Sequence, residues 1–176
     1  TKDEGRKTKD ESKFENDPLS DFSRAENRDA MVAALNTVRG QLGQTFPVVI
    51  DNVAVATTAF IDSVNPSKKS ELIGRTGKAT AMQAEDAIAS AAKAFESWRD
   101  TPVKERADFL RRVAGVMRYR RFELSAWIVL ETGKPWRESD ADVAEAIDFC
   151  EYYATEAVKL QGSHHGDVPG ESNEYL

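Results

Sequence analysis

The 176-residue sequence has one cysteine, two histidines and six prolines. A single thiol excludes an internal disulfide framework and is compatible with a reducing cytosol. No apolar run approaches the roughly 18 residues that a membrane-crossing helix needs, and nothing reads as a signal peptide. A net charge of −6 argues against a nucleic-acid partner. Ser-His-Asp and Cys-His arrangements cannot be assembled from what is there, and no glycine-rich phosphate loop is present.

What remains is a soluble globular profile, 40% hydrophobic and 31% charged, of a length suited to one ordinary domain with a real core. The chain begins at Thr1, not at Met, which reads as a piece of a longer protein. Residues Thr1–Lys13 carry nine charges of both signs and no large apolar side chain. Nothing there offsets the entropy of ordering, so the stretch is expected to be a solvated linker.

The most informative stretch is LETGKPWRESDADVAEAIDFCEYY, from Leu130 to Tyr153. It predicts the end of one amphipathic helix, a break, and the start of another. Gly133 can take the left-handed conformation that closes a helix, and Pro135 cannot continue one. Ser139, with Asp142 three residues on, has the pattern of a helix cap. Glu138, Asp140 and Asp142 then crowd the new N-terminus, where the helix dipole favours negative charge.

Elsewhere the same logic gives further elements. Ser23 with Glu26 forms a capping-box pattern ahead of a stripe of Met31, Leu35, Val38 and Leu42, with Gly43 placed to end that helix. Val48–Ile50 and Val53–Ala56 flank Asp51-Asn52, a pair suited to a two-residue hairpin. Ala59–Val64 and Glu71–Thr76 are two more strands, separated by the Asn65-Pro66 turn signal. Thr80 and Gln83 make a second capping box before the stripe Ala84, Ile88, Ala91, Phe95 and Trp98. One long helix is expected from Val103 to about Glu131, with Leu110, Val113, Met117, Leu124 and Ile128 inward. Its other face, with Arg111, Arg112, Arg118, Arg120 and Arg121, is expected to be solvated and partly paired. The last helix, from about Asp140 to Leu160, is expected to bury Val143, Ile147, Cys150, Ala154 and Ala157, and Gly162–Leu176 is read as a loop. Together these predict an α/β fold, mostly α-helical, with four helices around a small antiparallel strand set.

Candidates for chemistry are few. Cys150 lies mid-stripe with no basic residue at helical reach, so an inert buried thiol is expected. His164-His165 have no second cysteine and no HExxH spacing to support metal binding. Gly74 and Gly77 precede a helix, but their spacing fits no dinucleotide fingerprint.

The order of pieces nevertheless resembles the N-terminal part of the aldehyde dehydrogenase superfamily, and within it the Δ1-pyrroline-5-carboxylate (L-glutamate γ-semialdehyde) dehydrogenase branch. The resemblance rests on FENDPLSDFSRAENRDAM at Phe14–Met31, FPVVIDNVAV at Phe46–Val55, SVNPSKKSELIGRTGKAT at Ser63–Thr80, and the long run Ala94–Ala154. Within that run, KPW-x-E-x-DADVAEAIDFCEYY points to the proline-catabolic branch. The resemblance implies NAD-linked oxidation of L-glutamate γ-semialdehyde to L-glutamate. The family uses a cysteine thiolate, hydride transfer to nicotinamide and a glutamate base, and all of these are expected beyond Leu176. Residues 14–176 would then be the opening, incomplete part of the cofactor-binding domain. The resemblance places one functional residue here: Glu138, the match to an acidic residue that approaches the substrate's α-ammonium group. It also implies a cytoplasmic, homo-oligomeric enzyme, either stand-alone or with a proline dehydrogenase domain upstream of the linker. The competing reading is a non-catalytic helical interaction or oligomerisation module descended from such an enzyme.

Overall fold

The computed structural model describes residues 14–161 and 164–175. The linker expected at Thr1–Lys13 lies outside the described residues. The elements run α1 (Ala25–Arg39), β1 (Gln44–Phe46), β2 (Val48–Ile50), β3 (Val53–Val55), β4 (Phe60–Val64), β5 (Leu72–Gly77) and α2 (Ala81–Arg99). They continue with α3 (Val103–Tyr119), α4 (Arg121–Thr132), α5 (Trp136–Lys159), β6 (His164–His165) and β7 (Glu174–Tyr175). The fold is therefore mixed helix and strand, dominated by helices with small sheets. Among the described residues five helices replace the four expected, because the long helix breaks at Arg120, whose φ of −98° and ψ of 17° leave the helical range. Neither Pro nor Gly marks that break.

The Asp51-Asn52 hairpin forms as expected, with both residues at positive φ (52° and 60°) between β2 and β3. β4 and β5 are also antiparallel. The sheet is not wholly antiparallel, however. β1, missing from the sequence reading, pairs in parallel with β5, giving the order β1-β5-β4. Gly43 belongs to the turn that launches β1. At φ 80° it donates its N–H to the Ile73 carbonyl, while α1 itself ends earlier, capped at Gly40. The Ser23 capping box does not form. Asp21 captures the Ser23 N–H instead, and α1 starts one residue later without a side-chain cap. The Thr80–Gln83 box is present in both directions. In the tail, β6 and β7 pair antiparallel where only a loop was expected.

Two apolar clusters hold the helices together. Met31, Leu35 and Val38 of α1 pack with Ile73, Ala126 and Leu130. Ala114 of α3 packs with Val143 and Ile147 of α5, flanked by Met117, Ile128 and Cys150. The predicted stripes of α1 and α5 are thus core, but that of α2 is not. No residue of α2 is buried, and Ile88, Phe95 and Trp98 all face solvent. Leu110 and Val113 of α3 are exposed likewise, the buried side of that helix being Ala107 and Ala114.

Candidate functional site

The α4–α5 corner forms as its sequence dictates, with one shift. Gly133 adopts φ 75° and closes α4. A Cβ there would come within 3.2 Å of Pro66, so glycine suits both the conformation and the space. Pro135, extended at ψ 157°, starts α5 at Trp136. Ser139 is therefore not the cap. It lies fully buried inside the first turns, donating its hydroxyl to the Trp136 carbonyl at 2.9 Å. Proline sets the cap four residues before the Ser-x-x-Asp pattern would place it.

Glu138 sits in the first turn of α5 and is exposed. Lys134 approaches from the corner, its ammonium bonded to Asp142 and held above the ordinary lysine range by that bond, with Glu138 and Glu145 adding to the effect. A carboxylate on a helix N-terminus at an open corner can accept hydrogen bonds from an ammonium group.

Asp140 behaves differently from its neighbours. Only 1% exposed, it is gripped by the Arg121 guanidinium through two bonds of 2.6 and 2.8 Å. Ser20 adds its backbone N–H at 2.7 Å and its hydroxyl at 2.8 Å. Arg121 also reaches Asp17 at 2.9 Å, and Arg118 bridges Asp17 to Glu151. Asp148, further along α5, accepts from Asn16 and from the Asp17 N–H. An irregular strap, residues 14–20, is so tied to α5 by a chain of charges, with Phe14 set edge-on to Tyr152 at 5.5 Å. The predicted partly paired arginine face is real for Arg111 and Arg120, which pair with Asp108 and Glu123 at the surface. Arg112 lies over the Phe109 ring at 4.3 Å. Arg121 departs from that expectation, being 13% exposed.

No nucleophile joins Glu138 among the described residues. Cys150 is part-buried on α5, beside the Ala114–Ile147 cluster. Burial pushes its thiol up and Glu151 adds to this, with Arg118 opposing. Cys150 is expected to react slowly with a thiol reagent in the folded chain and rapidly after denaturation, as followed by absorbance. Native-state labelling as fast as the denatured rate would contradict the packing.

Gly74 and Gly77 do not form a phosphate-binding turn ahead of a helix. Gly74 and Gly77 lie within β5, and a Cβ on Gly77 would sit 2.7 Å from the Thr57 hydroxyl. These glycines serve close packing inside the sheet. Although β1 and β5 are parallel, strands and turns connect them, with no crossover helix. A groove of about 670 Å³ does open between the sheet and α4, floored by Phe46, Ile61, Ile73 and Trp127, but Glu138 does not line it. The helices are not long and apolar enough to cross a membrane among the described residues.

Comparison with known proteins places these features in a wider setting. The model of the aldehyde dehydrogenase family matches residues 53–175. The chain is 46% identical over 164 residues to a 1-pyrroline-5-carboxylate dehydrogenase of Geobacillus kaustophilus, covering 93% of this chain and 32% of that protein. A crystal structure of 1-pyrroline-5-carboxylate dehydrogenase from Thermus with bound NAD superposes with a TM-score of 0.81 at 45% identity, over 84% of this chain and 28% of that one. Proline utilization A from Bdellovibrio bacteriovorus, solved after inactivation by N-propargylglycine, gives a TM-score of 0.87 at 39% identity, over 94% of this chain and 17% of its own. The chain spans about a third of the length of the curated relatives that it matches.

Proposed function

Because this chain belongs to the aldehyde dehydrogenase family, we propose that it is part of an NAD-dependent enzyme oxidising L-glutamate γ-semialdehyde to L-glutamate. The observation that carries the reading is the 46% identity over 164 residues to a 1-pyrroline-5-carboxylate dehydrogenase. We assign NAD and the reacting thiolate to other parts of the enzyme, a reading supported by the lack of a crossover helix between the parallel strands β1 and β5. This chain contributes scaffold and one contact. Glu138 offers its carboxylate to the substrate's α-ammonium group, which distinguishes the semialdehyde from aldehydes without an amine. The proposal extends to a cytoplasmic, homo-oligomeric enzyme in either of two settings. One is a stand-alone dehydrogenase. The other is a bifunctional protein with a proline dehydrogenase unit upstream, which the similarity to proline utilization A supports.

In the complete enzyme, glutamate semialdehyde and NAD should give steady NADH formation, followed by absorbance. Glu138→Ala should raise KM for the semialdehyde about tenfold or more, roughly the value of a lost charged hydrogen bond, and leave KM for propanal unchanged. An equal change for both aldehydes would remove Glu138 from substrate recognition. The 176-residue chain alone should show no turnover, and Cys150-dependent activity in it would overturn the division of labour.

A further inference from the structure

Asp140 and Glu138 lie two residues apart on α5. At about 100° per residue they project about 200° apart, from nearly opposite sides of the same turn. One side is exposed and carries Glu138; the other is sealed and carries Asp140. The sealed carboxylate has both oxygens occupied by donors from two separate elements, Arg121 of α4 and Ser20 of the strap. Such a four-bonded anchor fixes both the roll of the helix and its position along its axis. Apolar packing at this end, with Trp136 against Phe22 at 5.8 Å, resists separation of the elements but tolerates sliding. A buried ion pair is also a poor device for stability alone, since apolar side chains of like volume serve about as well. What directional bonds add is a single geometry.

We propose that Asp140, clamped by Arg121 and Ser20, is a positioning residue that sets where the Glu138 carboxylate stands for the substrate's ammonium group. The inference rests on the reading of Glu138 given above. Asp140 touches no substrate; it acts through the backbone turn that it shares with Glu138. The strap then belongs to the recognition apparatus, because one of its residues holds the far side of that turn.

The test is a double-mutant cycle in the full-length dehydrogenase, with glutamate semialdehyde and propanal as paired substrates. Asp140→Asn keeps the shape and weakens the clamp, and Arg121 retains Asp17 as a partner. It should raise KM for the semialdehyde about tenfold, with kcat for both aldehydes and KM for propanal within about twofold. In a Glu138→Gln background the same change should add nothing. If Asp140→Asn fails to fold, Ser20→Ala removes a single bond to the clamp and should move KM in the same direction by about threefold. Equal losses on both aldehydes, or an undiminished Asp140→Asn effect without Glu138, would overturn the positioning role. Discrimination lost in Glu138→Gln but untouched in Asp140→Asn and Ser20→Ala would overturn this inference and leave the Glu138 reading standing. Unchanged discrimination in Glu138→Gln would overturn that reading, and the inference with it.

Discussion

Arg121→Met should lower the stability of the chain by about 3–5 kcal/mol, measured by thermal or urea unfolding followed by circular dichroism. The loss comes from what is left behind. Asp140, 1% exposed, would keep Ser20 as its only donor, and an uncompensated carboxylate in that setting is costly. Asp17 would be hurt less, since Arg118 still pairs with it. Removing the charge as well, in Arg121→Met with Asp140→Leu, should recover most of the loss. The acid dependence follows from the same pair. Burial pushes the Asp140 carboxyl up, but Arg121 and the Ser20 bonds outweigh it, and the group lies below the ordinary 3.8. The unfolded chain then takes up the proton first on acidification. The contribution is fully present above about pH 4 and fades as pH falls through the lower folded value. The gap between wild type and Arg121→Met should narrow over that same range. A loss under about 1 kcal/mol at neutral pH, the size typical of a surface pair, would show that the clamp is not closed.

Ile147→Ala should cost about 2–5 kcal/mol, whereas Ile88→Ala should stay within about 0.5 kcal/mol. Both isoleucines occupy apolar stripes at helical spacing. Ile147 is 0% exposed between α3 and α5; Ile88 is 70% exposed on α2. Urea unfolding with an unchanged slope isolates the stability term. A comparable loss in both variants would mean that the α2 face is covered, and a dependence of the Ile88→Ala loss on protein concentration would identify self-association as the cover.

That contrast also marks what periodicity can tell. It reports that a helix has an apolar side, as it did for α1, α2 and α5, but not what packs there. Signals carried by a few adjacent residues were readable: Gly133 with Pro135 at the corner, Asp51-Asn52 at the hairpin, Thr80 with Gln83 ahead of α2. Where two local signals competed, the more rigid one prevailed, and Pro135 displaced Ser139 as the start of α5. Three-residue β1 was too short to show any alternation, and the Arg120 break has no breaking residue. The buried clamp was illegible for a different reason. Arg121 and Asp140 are 19 residues apart, and Ser20 is 120 residues from its acceptor, so no window of sequence contains the pairing. Asp140 looked like one more carboxylate near a helix start, and Arg121 like one more surface arginine. Glu138, in turn, stands out from other first-turn acids only through resemblance to a family.

The strap has a further consequence in time. Its bonds join residues 101 to 132 positions apart, and those to α5 cannot exist until nearly all of the described chain has been made. On a ribosome, residues 14–20 emerge before α5 and wait while α1, the strands and three further helices are synthesised. Closing so long a loop costs little more free energy than closing one half as long, about 0.6 kcal/mol per doubling, so the delay is kinetic. Phe14–Ser20 therefore docks as a late step, and only onto an α5 that has already taken its place beside α4. A nascent chain whose α5 has slipped by one turn presents no Asp140 to Ser20 and no Asp148 to Asn16, and its strap stays undocked. An earlier-made segment thus inspects a later-made helix, and a protease that trims the undocked strap would report how far folding had gone.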